Sequence, residues 1–522
     1  MKAQLKILFA MTLAALASGC GQSSQNATST MNDNVMPEGS KHKVTPNVVI
    51  FYVDDLGYGD IGSYGAKGVE TPELDRIAAN GIRFTDGHSS AATCTPSRYS
   101  LLTGEHGFRN NAQILKGDAP ALIQPGKPTM ASMFKKAGYT TAVIGKWHLG
   151  LGDGNLDWNK AIKPGPLEIG FDYSFLIPAT GDRVPTVYVE DHNVVNLQKD
   201  DPLLVNYKKK IGDMPTGYEN PELLRYKADG QHNKTIVNGV SRIGHMDGGT
   251  AAHWVDEDFA EVFTEKSIDF IRKNKAKPFF LFKSFHDIHV PRMPHPRFKG
   301  KSTMGPRGDA IAQMDWITGR IIKEIEYLGL AENTLIIFTS DNGPVLFDGY
   351  FDDAANMLGD HKPGGPFSGG KYSRLEAGTR VPTLVYWPGT IQPQVNDALV
   401  SQMDIYRSLA KLVGVKLADD EAVDSLDQLS VWLGKSENGR VDLIEESLGN
   451  SALRHNQFKF IPKSNKKPNF IKSKKIKGGY VNEDQLYDLS TDPGELNNLA
   501  AENPELASKL QRRLDEIIQG RY

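Results

Sequence analysis

Short, almost wholly apolar runs alternate with amphipathic stretches through the middle of the chain. Val48 to Val53 is an unbroken apolar run that stops at Asp54-Asp55. Tyr139 to Ile144, Phe279 to Phe285 and Leu335 to Thr339 repeat the form, and each leads straight into polar residues: Gly145-Lys146-Trp147-His148, His286 with His289, and Asp341-Asn342-Gly343. Runs of this length read as strands buried on both faces. Between them the apolar positions fall at helical spacing. Thr71-Pro72 opens one helix with a capping residue and a first-turn proline, Leu74, Ile77 and Ala78 form its inner face, and Gly81 ends it. Phe259, Val262, Phe263, Phe270 and Ile271 mark a second helix, and Ile311, Met314, Ile321, Ile325 and Leu328, before Gly329, a third. Strands alternating with helices predict an α/β fold, a parallel sheet covered on both faces. Its polar groups gather beyond the carboxyl ends of the strands, where open α/β sheets bind ligands.

Both ends of the chain depart from this pattern. From residue 437 the strand-like pieces shorten, a Lys-rich stretch runs from Lys463 to Lys477, and a last helix carries Leu506, Leu510, Leu514 and Ile517. Residues 437–522 are therefore expected to form a small α+β domain beside a main domain of residues 45–436. The lysines read as a solvated face or as a contact for a polyanionic glycan. At the other end, Lys2 and Lys6, the apolar run Ile7 to Leu16 and the small residues Ala17-Ser18-Gly19 precede Cys20. This arrangement resembles a bacterial lipoprotein signal of residues 1–20, with Cys20 as the lipidated residue and residues 21–44 as a flexible tether. Gly21 and Gln22 carry no obvious surface-export signal. The expectation is an exported protein held to a membrane only through its lipid, on the periplasmic side rather than the cell surface.

Composition narrows the chemistry. Among 522 residues, 60 Lys and Arg face 63 Asp and Glu, so there is no global basic field to collect nucleic acid and any anion must be bound locally. There are two cysteines. With Cys20 assigned to the anchor, Cys94 has no disulfide partner and is either an inert buried thiol or a chemically special one. It stands in Cys94-Thr95-Pro96-Ser97-Arg98, where Pro96 favours a helix start, so a thiolate there would be stabilised by free amides. Arg98, a turn later, could face the same oxyanion or form an ordinary ion pair. Asp54, Asp55, Asp341 and Asn342 offer only oxygen at two strand ends, which suits Ca²⁺ or Mg²⁺ better than zinc, although turn chemistry uses the same residues.

CTPSRYSLLTG, from Cys94 to Gly104, resembles the signature of the type I sulfatases, and GYTTAVIGKWH, from Gly138 to His148, is similar to their second signature. DDLGYGD at Asp54 to Asp60, DNG at Asp341 to Gly343, GGKYSRLEAGTRVP at Gly369 to Pro382 and the late YDLSTDPGELNNLA also match, so the resemblance spans roughly residues 46–522. It implies an alkaline-phosphatase-like fold: a large mixed, mostly parallel sheet flanked by helices. It further implies that Cys94 is oxidised to formylglycine by a formylglycine-generating or anaerobic sulfatase-maturating enzyme. Asp54, Asp55, Asp341 and Asn342 would bind one Ca²⁺, with residue 94 or sulfate oxygens completing the shell. One hydroxyl of the hydrated aldehyde would attack sulfur, Arg98 holding the hydrate, Lys146 binding sulfate and His148 taking a proton. Lys146 and His148 alternate by two, so an extended segment would present both on one side. His289 and Lys371 would serve the departing alcohol.

For the substrate the resemblance points to bacterial exo-acting carbohydrate sulfatases for 6-sulfated galactose or N-acetylgalactosamine. Asp182 and Arg183, in a loop-rich insert, could grip sugar hydroxyls or simply pair with each other, and His286 is a further candidate contact. A phosphodiesterase or phosphonate monoester hydrolase of the same superfamily is the alternative enzyme. A non-catalytic glycan-binding lipoprotein is the third reading, against which Arg98, Lys146, His148, His289 and Lys371 together argue.

Overall fold

Along the strand Asn47–Val53, Val48, Ile50 and Tyr52 join one hydrophobic core while Val49, Phe51 and Val53 join another. Successive side chains of a strand point to opposite faces, so an unbroken apolar run is what a strand covered on both sides requires. The same division holds for Phe280 and Phe282 against Phe279 and Leu281, and for Leu335 and Ile337 against Ile336 and Phe338. The first core is closed by Leu102, Phe134 and Leu409, the second by Phe263, Ile271, Ile311 and Met314. The computed structural model describes residues 45–520, Lys475 excepted. The predicted signal, Cys20 and the tether lie outside the described residues.

The main sheet has ten strands, in the order Gln394–Asn396, Ile82–Phe84, Thr383–Tyr386, Thr334–Ser340, Asn47–Val53, Phe279–Ser284, Thr140–Lys146, Tyr173–Ile177, Val189–Glu190 and Asn193–Val194. Thr334–Ser340 through Tyr173–Ile177 are five consecutive parallel strands, and the antiparallel pairings lie outside them. This is the large, mixed, mostly parallel sheet expected, with helices on both faces. A second, four-stranded antiparallel sheet, Asp442–Ser447, Asn450–His455, Phe458–Ile461 and Gln485–Asp488, packs Ile444, Leu453, Phe460 and Leu486 against Leu510, Leu514 and Ile517 of the terminal helix Pro504–Ile518. No helix among the described residues is long and apolar enough to cross a membrane.

Local expectations needed correction in three places. The helix Pro72–Asn80 forms, but Thr71 does not cap it: its hydroxyl accepts from the Gly62 amide (2.8 Å), and the carboxylate of Asp315 receives the Leu74 amide (2.8 Å) instead. The third helix begins at Gly305, six residues before the apolar repeat shows it, because its first turn buries Arg307 against Asp60. The strand read from Tyr139 to Ile144 runs Thr140–Lys146, which carries Lys146 to the sheet's edge of polar groups.

Candidate active site

Val53 and Ser340 are paired in register, so the residues that follow them, Asp54-Asp55 and Asp341-Asn342, emerge side by side. One carboxylate oxygen each of Asp54, Asp55 and Asp341 lie within 4.8 Å of one another, all buried. The Asn342 amide nitrogen donates to Asp55 Oδ1 (2.8 Å) and to the Gly343 carbonyl (2.9 Å), which fixes the side chain and leaves its Oδ1 buried without a partner. Asp54 Oδ1 is left likewise. Protein cations approach from the other side. Lys146 bonds Asp54 Oδ2, Arg98 places Nε and Nη2 on Asp341 Oδ2 (3.0 and 2.7 Å), and Lys371 sits 2.9 Å from Asp55 Oδ2.

Each carboxylate has a protein cation, but the match is incomplete in detail. Burial and the charge of Asp54 push Asp341 up to about 7 despite Arg98 and Lys146. Burial also opposes ionisation of Asp54, but Lys146 above all outweighs it and holds that carboxyl well below the usual range. Buried oxygens without donors are costly. An all-oxygen set with two orphaned atoms fits a hard divalent cation.

Cys94 is the first residue of the helix Cys94–Thr103, with Arg98 one turn on. Its Sγ lies 3.2 Å from His148 Nδ1. The Leu115 carbonyl accepts from His148 Nε2 (2.9 Å), so Nε2 carries the hydrogen and the Nδ1 lone pair faces residue 94. Burial, then Lys146 and Arg183, keep this imidazole well below its ordinary value and hence neutral. His148 reaches the site differently from the expected alternation: it adopts a left-handed φ of 55° and its amide bonds the Pro178 carbonyl, so a turn, not an extended segment, brings it beside Lys146. Burial raises the Cys94 thiol above its usual value although Lys146 and Lys371 pull it down. The unmodified cysteine is thus a thiol and a poor nucleophile.

Cys94, His148, Asp182, Arg183, His289 and Lys371 line one narrow recess of about 20 Å³. His289 Nδ1 donates to the Val290 carbonyl (2.7 Å), leaving Nε2 without a hydrogen, and burial with Lys371 keeps the ring neutral. Arg183 pairs with Asp182 (2.7 Å), whose other oxygen lies 3.3 Å from His232. His286 lies elsewhere. Its Nε2 accepts from the Gly181 amide (3.0 Å), and its Nδ1, buried without a partner, stands 3.7 Å from Asp54; the ring lies beside His289 (centroids 5.2 Å apart) and borders the acidic cluster without lining the recess. The recess also contains Asp348, Tyr372, Gln231 and His232, none of which sequence reasoning singled out. Only the position of Tyr372 directly after Lys371 offered a signal. Lys474, from the Lys-rich stretch read as a solvated face, is 3% exposed and bonds Asp348 (2.8 Å). The recess shares Ile114, Arg183, Gln231, Ile243 and Phe470 with a groove of about 400 Å³.

A sequence model of the sulfatase family matches residues 46–415. This chain belongs to that family. The sulfatase is 47% identical to an N-acetylgalactosamine-6-O-sulfatase of Bacteroides thetaiotaomicron, over 93% of this chain and 96% of that one. It is 32% identical to the steryl-sulfatase of Mus musculus, over 76% of this chain and 67% of that one. A solved structure from work on glycosaminoglycan metabolism by Bacteroides thetaiotaomicron superposes with a TM-score of 0.89 at 47% identity, covering 91% of the sulfatase and 99% of the solved chain. The reaction class is therefore hydrolysis of sulfuric esters.

Proposed function

We propose that this sulfatase is an exo-acting carbohydrate sulfatase that removes 6-O-sulfate from N-acetylgalactosamine or galactose, using one Ca²⁺ and a formylglycine made from Cys94 by a maturating enzyme. The observation that carries the substrate is the 47% identity, over nearly the full length of both chains, to an enzyme named for that sugar and position. A small recess that shares its lining with a wider groove supports action on a terminal residue, whose sulfate can enter while the rest of the chain stays outside.

Asp54, Asp55, Asp341 and Asn342 would hold the ion, which supplies Lewis-acid polarisation of the sulfate oxygens, while the hydrated aldehyde at residue 94 supplies the attacking hydroxyl. The side chains divide the remaining work. His148 accepts a proton from residue 94 through its Nδ1 lone pair. Arg98, one turn after residue 94 and fixed by Asp341 and by Ser284 (2.5 Å), would hold the hydrate. Lys146 and Lys371 contribute positive charge at the sulfate. Of the two groups nearest the leaving alcohol, Lys371 holds its proton far above the usual range, Asp55 first among the causes that overcome burial, whereas His289 enters neutral. Lys371 is therefore the one of the two that carries a proton to offer the departing oxygen. No single donor suffices: one oxyanion donor is worth about 3–4 kcal/mol where enzymes lower barriers by about 8–23 kcal/mol. Asp182 and Arg183 line the recess at the mouth of the groove, where they would meet sugar hydroxyls.

Release of sulfate from a panel of defined sugars tests the reading. The 6-sulfates of N-acetylgalactosamine and galactose should be desulfated at least 100-fold faster than the 4-sulfate of N-acetylgalactosamine or the 6-sulfate of N-acetylglucosamine, which is about 3 kcal/mol of discrimination. A preference for either of the latter two would overturn it. The proposal includes export and anchoring at Cys20 on the periplasmic side. Labelled palmitate should enter the wild type and not Cys20→Ser, and a wild type that takes up no label would sink that part.

A further inference from the structure

Lys371 lies between two carboxylates, Asp55 Oδ2 at 2.9 Å and Asp348 Oδ2 at 3.0 Å. Asp55 faces the cation site. Asp348 lies outside the Asp54, Asp55 and Asp341 set, and its buried pair with Lys371 draws on charge the sulfate needs. Asp348 is shared, however: the Lys474 ammonium stands 2.8 Å from its Oδ1 and the Tyr372 hydroxyl donates to its Oδ2 (2.9 Å). Lys474 is 3% exposed, so solvent and salt do not screen the interaction. It follows the short helix Asn469–Ser473, and Phe470 of that helix stacks on Tyr372 with ring centroids 5.3 Å apart and planes 14° off parallel. The stack fixes the segment over the recess.

We infer that Lys474 is a positioning residue of the active site: by neutralising Asp348 it leaves the Lys371 ammonium to the sulfate ester and its departing oxygen. The C-terminal part of the chain thereby completes a site otherwise built from the main domain. This rests on Lys371 acting at the ester, as proposed above. It makes no use of which sugar is the substrate, so a chromogenic aryl sulfate serves as the probe if it is turned over, and otherwise the best sugar of the panel.

Lys474→Met should lower kcat about 10- to 100-fold, the usual cost of losing a residue that orients a reacting group, with KM nearly unchanged because the charge on the departing oxygen develops only in the transition state. Lys474→Arg should recover most of the loss, and Lys477→Met, at a neighbouring lysine whose ammonium bonds Ser368 and the Glu495 carbonyl, should behave as wild type. With Asp348→Asn already in place, Lys474→Met should cost little more. A wild-type kcat for Lys474→Met overturns the inference. So does a loss that Lys474→Arg fails to recover, or one that falls equally on wild type and Asp348→Asn. Lys371→Met keeps the two readings apart: if it retains full activity the role of Lys371 itself fails, whereas an inactive Lys371→Met beside a fully active Lys474→Met removes only the role of Lys474.

Discussion

At two places among the described residues, acidic and histidine side chains come within ligand distance of one another, and the two differ in what surrounds them. Asp86, His88 and Glu376 form one; Asp54, Asp55 and Asp341, overlapped by His286, His289 and Asp348, form the other. In the first, protein cations take up every carboxylate oxygen of the trio. Glu376 meets Arg454 (2.5 Å), Arg380 (3.1 Å) and Lys459 (3.2 Å), and Asp86 meets Arg454 (3.0 Å) and His88 (2.8 Å). Arg454 and Lys459 come from the small sheet, so this cluster fastens that sheet to the loop bearing Glu376. In the second, Lys146, Arg98 and Lys371 are present, yet Asp54 Oδ1 and Asn342 Oδ1 remain buried without a donor. Acidity alone does not mark a cation site; orphaned oxygens within a converging all-oxygen set do.

The largest effect should come from breaking the second cluster. Asp341→Ala should reduce desulfation by about 10³-fold or more and abolish any Ca²⁺-dependent rise in Tm, since it removes a ligand and frees Arg98 at once. Activity near wild type would erase the distinction between the clusters. Glu376→Gln acts on the other side of the comparison. It should cost about 3–5 kcal/mol of stability, read from denaturant unfolding, because Arg454 and Lys459 are left buried with less opposing charge, while turnover per folded molecule stays at the wild-type level.

How much of this was readable in advance depends on where each residue lies. Asp54, Asp55, Lys146, Asp341 and Asn342 stand at or directly after apolar runs, and a strand's end is visible in sequence. Asp348, His232 and Lys474 come from irregular segments with no period to place them, and Lys474 meets Asp348 only through the packing of the small sheet's flank against the main domain. His148 was placed beside Lys146 for the wrong reason, since alternation holds only while the strand lasts. His286 follows a strand as His289 does, but the amide of Gly181 claims its ring nitrogen, a contact sequence spacing does not reveal.

The smallest and sharpest contrast is in pH. With the ion chelated, Asp341 is raised in the folded state to about 7 from about 3.9 unfolded, so the native protein holds the extra proton and stability falls as pH rises from about 4 through 7. Glu376 behaves oppositely. Burial resists its ionisation, but Arg454 and Lys459 hold it below the ordinary carboxylate range, so its contribution is complete above about pH 4.3 and is lost as pH falls further. Burial also raises Asp315 and Glu446 to about 7 and Glu495 to about 8, so some fall toward neutrality is common to both conditions. Thermal melts between pH 5 and 8 should therefore show Tm dropping more steeply in chelator than in Ca²⁺. Identical slopes in both would separate Asp341 from the ion.

The central claim, that residue 94 works as an aldehyde rather than a thiol, is tested most directly by the mass of the tryptic peptide Phe84–Arg98 from active enzyme. The account predicts that the fraction of this peptide bearing an aldehyde, trapped by hydroxylamine, rises in proportion to specific activity across preparations. A fully active preparation in which Cys94 is entirely an intact thiol would contradict it.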